Sequence, residues 1–525
     1  MDKSKVVLLF HTVRYLKLKQ IYYRLYYALI SRFSHFKNGE TVEHTSHPLN
    51  WNLDISTSNS YNNKVFTFLN LEYKFDRIDW NFANFGKLWT YNLNYFDFLN
   101  QENISKEVGL GLIEDYIYNQ AILRDGLEPY PISLRIINWI KFISKHQIQD
   151  EKIDIVLFKQ LTLLNRTLEY HLLGNHLLEN AFALLFGSYY FRDERIYKRA
   201  KNLLETELNE QILQDGAHFE LSPMYHQIIL TKVLDCIHLV QGNDWRNDSL
   251  KSVLESKASE MGSWLGRVTY SNGDTPKVSD SAFAITFSSE QIFNYAKNLK
   301  LKTQNLKLSD SGYRKWDLYN MELFMDIGKI GPDYIPGHAH ADTFNFELYY
   351  KGSPIIVDTG ISTYEKNSKR HLERSTESHN TIRIDETDSS EVWGGFRVAR
   401  RAKIIDLKES ENTVEATHDG YKRLGAYHSR SFNKSNGLFI IEDRIESNKT
   451  HQIESFLHFH PNCKLVMEGN SIEVDAQVKI KIINAEKIIL EDYDYSLGFN
   501  KTKKANKIRA FVGINSRIEI SEEKN

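Results

Sequence analysis

Pro336-Gly337-His338-Ala339-His340-Ala341-Asp342 sets two imidazoles and a carboxylate at alternate positions. In extended chain, alternate residues share a face, so His338, His340 and Asp342 are expected to project together, leading directly into a strand. Such a run is costly to leave without partners. Asp358, in Val357-Asp358-Thr359-Gly360, and His379, in Ser378-His379-Asn380-Thr381, follow downstream. Two imidazoles and one carboxylate make a plausible zinc set with one position left for water. The plainer alternative is a surface strand carrying incidental histidines.

Two further groups lie upstream. Gly174-Asn175-His176, preceded by Tyr170-His171, opens an apolar helical stretch, where Asn can be a cap and His a satisfied buried donor. Gln214-Asp215-Gly216-Ala217-His218-Phe219-Glu220-Leu221-Ser222-Pro223-Met224-Tyr225-His226 is dense in ionisable groups for a structural turn. Asp215-Gly216 reads as the turn itself, and Ser222-Pro223 as an N-cap followed by proline at the first helical position. Arginines beside aromatics, in Tyr364 to Thr376 and in Trp393-Gly394-Gly395-Phe396-Arg397 with Arg400 and Arg401, suit carboxylate or sulfate recognition and stacking on sugars. A solvated charged face is the other reading of that run. His458 and His460 read as satisfied core histidines beside Phe456.

These groups need elements to position them, and the chain is long enough to supply two domains. At 525 residues it exceeds the size at which one core stops growing. From about residue 11 to 300 apolar residues recur three and four apart, in at least eight helices: 16–29, 109–123, 133–146, 153–170, 176–191, 197–212, 225–240 and 249–268. Absence of a fixed repeat period favours a closed toroid over an open solenoid. After about residue 315 the rhythm becomes two-residue alternation. A hairpin of 344–350 and 355–358 around Lys351-Gly352-Ser353-Pro354, with strands at 438–445, 453–460, 478–483 and 507–512, predicts a β-sandwich. The expected domains are 1–305 and 306–525, with the Lys/Asn-rich stretch 297–307 as linker.

Hydrophobic residues at 41% and charged residues at 26% are ordinary for a soluble globular protein, and no run of about 18 apolar residues predicts membrane insertion. A net charge of -2 argues against a nucleic-acid partner, so a polyanionic ligand would need a local basic patch. Cys236 and Cys463 are expected to be free thiols. The apolar run Val6–Phe10 is too short for a secretion signal, which predicts a cytoplasmic location for the chain as given, or a periplasmic one if a leader has been removed.

Seven segments, in order, resemble the heparinase II/III family of polysaccharide lyases, which includes heparin and heparan lyases and oligoalginate lyases. They are Arg14-Tyr15-Leu16 with Gln20, Leu88–Phe96, Arg135–Trp139, Asn175–Asn180, Ser222–His226, Gly337–Asp342 and Ser378–Thr381. The resemblance implies an N-terminal incomplete (α/α) toroid followed by a C-terminal antiparallel β-sandwich. It also implies β-elimination on an acidic, uronate-containing glycan: a base removes the C5 proton, the C4 oxygen leaves, and no water is consumed. Because the C5 proton is weakly acidic while the carboxylate is charged, donors must stabilise the developing dianion.

By the same likeness Asn175 and His176 are the neutralising pair, Tyr225 takes the C5 proton and protonates the leaving oxygen, and His338 faces the cleft. His176 is the alternative base from the opposite face. His340, Asp358 and His379 would hold a structural zinc. Glycan contacts would come from Tyr91, Asn94, Tyr95, Arg135, Glu220, His226, Tyr364, Arg370, Arg374, Trp393 and Arg397. The acidic polysaccharide or oligosaccharide is the expected partner, with a homodimer left open. A zinc-dependent glycan hydrolase and a non-catalytic polysaccharide-binding or assembly protein are the competing readings. The lack of an export signal fits a role in synthesis or turnover of the cell's own surface polysaccharide.

Overall fold

The computed structural model describes residues 3–30, 45–52 and 55–523. Helices dominate the first 300 residues and antiparallel strands the remainder, the order expected from the change of period. Helices Lys87–Tyr95, Pro129–Lys145, Gly174–Phe191, Pro223–Gly242 and Ser289–Asn298 each pack on the next in that series. Lys106–Asn119, Glu151–Arg166, Glu194–Gln211 and Leu250–Val268 alternate with them in the chain and form an outer layer. Sequence dictates the layering. The helix Gly174–Phe191 is buried on almost every side, whereas Glu194–Gln211 buries one stripe, with Ile196, Tyr197, Ala200, Leu203, Leu204, Glu207, Leu208 and Gln211, and turns its other charges outward.

The short helix Lys87–Tyr95 and the helix Ser289–Asn298 fall outside the eight expected segments. The second starts at a capping box of Ser288 and Gln291 and runs only two residues into the polar stretch 297–307, the rest of which has neither helix nor strand. Extended chain then runs to the first strand of the second half, Tyr313–Leu318.

That half holds a four-stranded antiparallel meander, Tyr313–Leu318, Met321–Asp326, Phe346–Tyr350 and Ser353–Ile356, and a ten-stranded sheet. Inward residues of both, among them Leu323, Phe346, Leu348, Phe432, Ile441 and Ile518, form one core, so the sheets are stacked. The paired strands Val478–Gly498 and Lys501–Glu522 carry their turn back to the helical half. There Asn70 Nδ2 donates to Phe499 O at 2.8 Å and Asn500 Nδ2 to Leu69 O at 3.0 Å.

Among the described residues no helix is long and apolar enough to cross a membrane. Cys236 and Cys463 are free thiols.

Candidate active site at the domain junction

Each group singled out in the helical half sits at the start of an inner-layer helix, where backbone N–H groups lack intrahelical partners. Gly174 opens its helix with φ +58, and a Cβ there would stand 2.8 Å from Glu220 Oε1, so the position needs glycine. That closeness lets Glu220 grip the next residue: Asn175 N donates to Oε1 at 3.1 Å and Asn175 Nδ2 to Oε2 at 2.8 Å. His176 Nδ1 bonds Glu169 Oε1 at 3.1 Å, and Tyr130 packs on its ring with centroids 4.8 Å apart. Burial pulls the His176 pKa down, but the Glu169 charge and hydrogen bond lift it above the usual imidazole value.

Tyr225 lies in the first turn of Pro223–Gly242, capped by Ser222 Oγ, which in turn donates to Asp280 O at 2.7 Å. The Tyr225 ring stacks on His338 with centroids 3.9 Å apart and planes at 27°, and its hydroxyl is 3.3 Å from that of Tyr364. Burial pushes the Tyr225 pKa up; the Tyr364 hydrogen bond and the Arg370 charge oppose it without cancelling it. At neutral pH the phenol keeps its proton.

Asp280 is the hub that ties the halves together. Its carboxylate accepts from His338 Nδ1 at 2.8 Å, His340 Nε2 at 2.9 Å and Arg370 NH2 at 2.7 Å, and its N–H donates to His338 O at 3.0 Å. Burial opposes its ionisation, but the Arg370 charge and the three hydrogen bonds hold its carboxyl well below the usual range. Leu173, Leu221 and Ser279, at φ 65, 56 and 55, flank the segments carrying Asn175, Glu220 and Asp280. Left-handed backbone at non-glycine residues costs about 1–3 kcal/mol each and persists where surrounding contacts over-determine it.

The His338–Asp342 run is a loop, not extended chain; the strand starts at Phe346. His338 and His340 still converge, because both reach the same carboxylate rather than because alternation aligns them. Asp342 goes elsewhere, and its Oδ2 is buried without a hydrogen-bond partner.

Asn175, His176, Tyr225 and His338 open on one cavity of about 900 Å³ between the halves. Tyr91, Tyr95, Tyr364 and Arg397 also line it. Arg24, Lys141, Lys232, Lys366 and Arg397 stand along it; Lys141 pairs with Asp235 and Lys232 lies 3.8 Å from Glu179, so Arg24, Lys366 and Arg397 supply the positive charge suited to a polyanion. Tyr130, Phe396 and Phe499 add aromatic surface.

Other expected glycan contacts lie away from the lining. Asn94 is fully buried and donates to Trp80 O and Thr90 O. Arg135, also fully buried, binds Asn94 O, Gly126 O and Gln160 Oε1 and so braces the helices. His226 packs on Trp264, accepts from His218 N at 3.1 Å and donates from Nε2 to Met261 O; burial lowers its pKa to about 3. Arg374 holds Ala339 O and Gly395 O, fastening the histidine loop. Arg370 sits behind Tyr364 and Phe396 on Asp280. Trp393 donates to Thr12 Oγ1 and carries Arg397 over its ring, so that only the arginine faces the cavity. Glu220 accepts from Asn175 and lies 3.4 Å from His338 Nε2.

Glu169 and Asp280 escaped the sequence reading. Each is a single acidic residue without a motif, and its partners arrive from 7 to 90 positions away.

His379 Nδ1 contacts Asp358 Oδ2 at 2.7 Å, Asn345 Nδ2 donates to the same oxygen, and the His340 and His379 rings are 5.3 Å apart. His340 Nδ1 and His379 Nε2 are buried without a hydrogen-bond partner, an arrangement whose donor types suit zinc. Among the described residues no three His, Cys, Asp or Glu side chains are grouped closely enough to hold a metal ion as they stand.

Comparisons with known proteins agree with this architecture. The model of the heparinase II/III N-terminus matches residues 131–309, and that of the heparinase II/III-like C-terminal region matches residues 302–520. A heparin-sulfate lyase of Bacteroides stercoris is 23% identical over 320 residues, covering 55% of this chain and 46% of that protein. One from Pedobacter heparinus is 25% identical over 244 residues, covering 40% of this chain and 36% of that protein. The chain therefore matches less than half the length of these curated relatives. Among solved structures, heparinase III aligns with TM-score 0.66 at 16% identity, over 85% of this chain and 79% of that one. Heparan sulfate lyase HepC from Pedobacter heparinus gives 0.55 at 18%, over 88% and 82%. At these identities the structures attest the fold.

Proposed function

Starting from the fact that this chain belongs to the heparinase II/III family, we propose that it is a polysaccharide lyase cutting an acidic, uronate-containing glycan by β-elimination. One observation carries the reading: a stacked Tyr225–His338 pair and the Asn175–His176 pair, from both halves of the chain, open on one cation-lined cavity.

Bound there, the uronate carboxylate meets Asn175 Nδ2 and the His176 imidazole, which Glu169 favours in its charged form. Neutralising that carboxylate acidifies the C5 proton. The C5–H bond breaks, its electron pair forms the C4–C5 double bond, and the C4–O bond breaks. Tyr225 delivers a proton to the departing oxygen, the role that its protonated resting state suits. When C5–H faces Tyr225, the phenol must ionise first, which Arg370 favours and burial opposes; when it faces the other side, only the neutral form of His176 can take the proton, and Asn175 is then left to meet the carboxylate. Asp280 and Glu220 are positioning residues behind His338 and Asn175.

Zinc belongs to the proposal as a structural ion on His340, Asp358 and His379, supported by the orphaned His340 Nδ1. It would stiffen the loop behind His338 and take part in no proton transfer. Metal analysis of the purified protein should find one zinc per chain; a metal-free protein of full activity removes the assignment.

Incubation with heparan sulfate, alginate and hyaluronan tests the activity. An ultraviolet-absorbing unsaturated uronate is expected from at least one of these or another uronate glycan. New reducing ends without that absorbance would indicate hydrolysis instead.

A further inference from the structure

The second helix, Leu18–Ile30, docks with its apolar stripe facing away from the protein. Leu18, Ile21, Tyr22, Leu25, Tyr26 and Leu29 recur at the three- and four-residue spacing that ordinarily faces a core. All six are exposed, Leu18 at 84%, Leu25 at 64% and Leu29 at 62%. The face that docks is the polar one. Gln20 is buried and donates to Leu172 O and Tyr334 O, Tyr23 stacks on Tyr170 at 4.6 Å, and the Tyr27 hydroxyl donates to Leu168 O. The first helix, Lys3–Val13, adds exposed Val6, Val7, Leu9, Phe10 and Val13. Eleven of the 25 exposed large hydrophobic residues among the described residues thus fall within positions 3–30; Leu9 and Val13 line the cavity, and the other nine are a concentration that marks an interaction surface.

Charge selects the partner. Positions 3–30 contain Lys3, Lys5, Arg14, Lys17, Lys19 and Arg24 and no Asp or Glu, in a chain whose net charge is -2. Lys17 is paired with Glu210, Lys19 lies over the Tyr170 ring and Arg24 Nε donates to His171 O, so these three sit where the helix meets the helical half, Lys19 and Arg24 remaining exposed there. A second copy docked face to face would bring two such cationic sets together. A hydrated acidic glycan would leave the aliphatic side chains without use. An anionic lipid surface satisfies both, with Leu, Val and Tyr at the headgroup boundary and the exposed Lys5, Arg14, Lys19 and Arg24 available to the phosphates at its edge.

We infer that this helical pair is a membrane-surface adsorption element, lying on an anionic leaflet without crossing it. Thr12, Leu16, Gln20 and Arg24 of the same pair line the catalytic cavity, so adsorption would hold the cleft beside the lipid surface.

The test is co-sedimentation of the full chain with vesicles of phosphatidylglycerol and phosphatidylcholine, compared with phosphatidylcholine alone, at low and high salt. Binding is expected to the anionic vesicles, weakened by salt. Leu25→Glu with Leu29→Glu should lower it about tenfold or more while leaving thermal unfolding unchanged, because both side chains are solvent-facing. No binding to anionic vesicles, or equal binding to phosphatidylcholine alone, would overturn the inference. So would a wild-type dimer that the double variant turns into a monomer while vesicle binding is unaltered, which would assign the face to a second copy.

Discussion

The ring of Tyr225, from the first turn of an inner helix, lies 3.9 Å from that of His338, from a loop of the sheet half. Neither half alone can make that pair, so it is the contact on which the proposed chemistry depends. Tyr225→Phe keeps the ring and removes the only proton. Turnover should fall about 10²–10⁴-fold with KM little changed, measured by initial rates on a cleaved uronate glycan. Unchanged turnover would remove Tyr225 from the mechanism.

Glu169→Gln should weaken the hold that keeps His176 charged. The carboxylate raises the His176 pKa in the fold, so its removal lowers it, and the imidazole loses its proton at lower pH. The alkaline limb of the kcat/KM profile should therefore move to lower pH. A profile that merely scales down in height would make Glu169 structural only.

Asp280→Asn should cost about 3–5 kcal/mol, because it leaves the buried Arg370 guanidinium without its ionic partner. Denaturant unfolding measures this. Activity should fall as well, since His338 loses the acceptor that orients it.

Much of the fold was legible because period reports burial: the long inner helices and the Phe346–Tyr350 hairpin follow from apolar spacing alone. Lys87–Tyr95 was missed because nine residues give barely two helical turns of pattern. Tyr225 and His338 drew attention as dense local clusters, and the family likeness supplied what spacing could not. Asn94, Arg135 and His226 lie inside segments that carry the likeness, but away from the cavity lining, and each bonds backbone carbonyls 14 to 41 positions away, partners that only the fold shows. Asp280, in Ser279-Asp280-Ser281, carries no motif; it matters because two loops close on it.

Acid should unfold the protein early. Burial depresses the pKa of His218 to about 4 and of His226 to about 3. Both are neutral in the fold, while the unfolded chain protonates near pH 6.5. The unfolded state therefore gains protons first as pH falls, and stability present above pH 6.5 is lost between there and about pH 4. The loss at pH 5 should be on the order of 1–2 kcal/mol for each residue, read from denaturant midpoints at pH 7 and pH 5. Burial lifts the Glu347 pKa to about 7, which shifts stability the other way over this range, so the histidine contribution is read as the difference between the wild type and His226→Gln; equal changes in midpoint between pH 7 and pH 5 for the two proteins would contradict a neutral His226.

Elimination differs from every hydrolytic reading in one conserved quantity, the mass of the products. Mass spectrometry of a defined uronate oligosaccharide after one cut should give two fragments whose masses add up to that of the substrate, and reaction in ¹⁸O-water should leave both unlabelled. Fragments exceeding the substrate by one water, with ¹⁸O in one of them, would contradict the account.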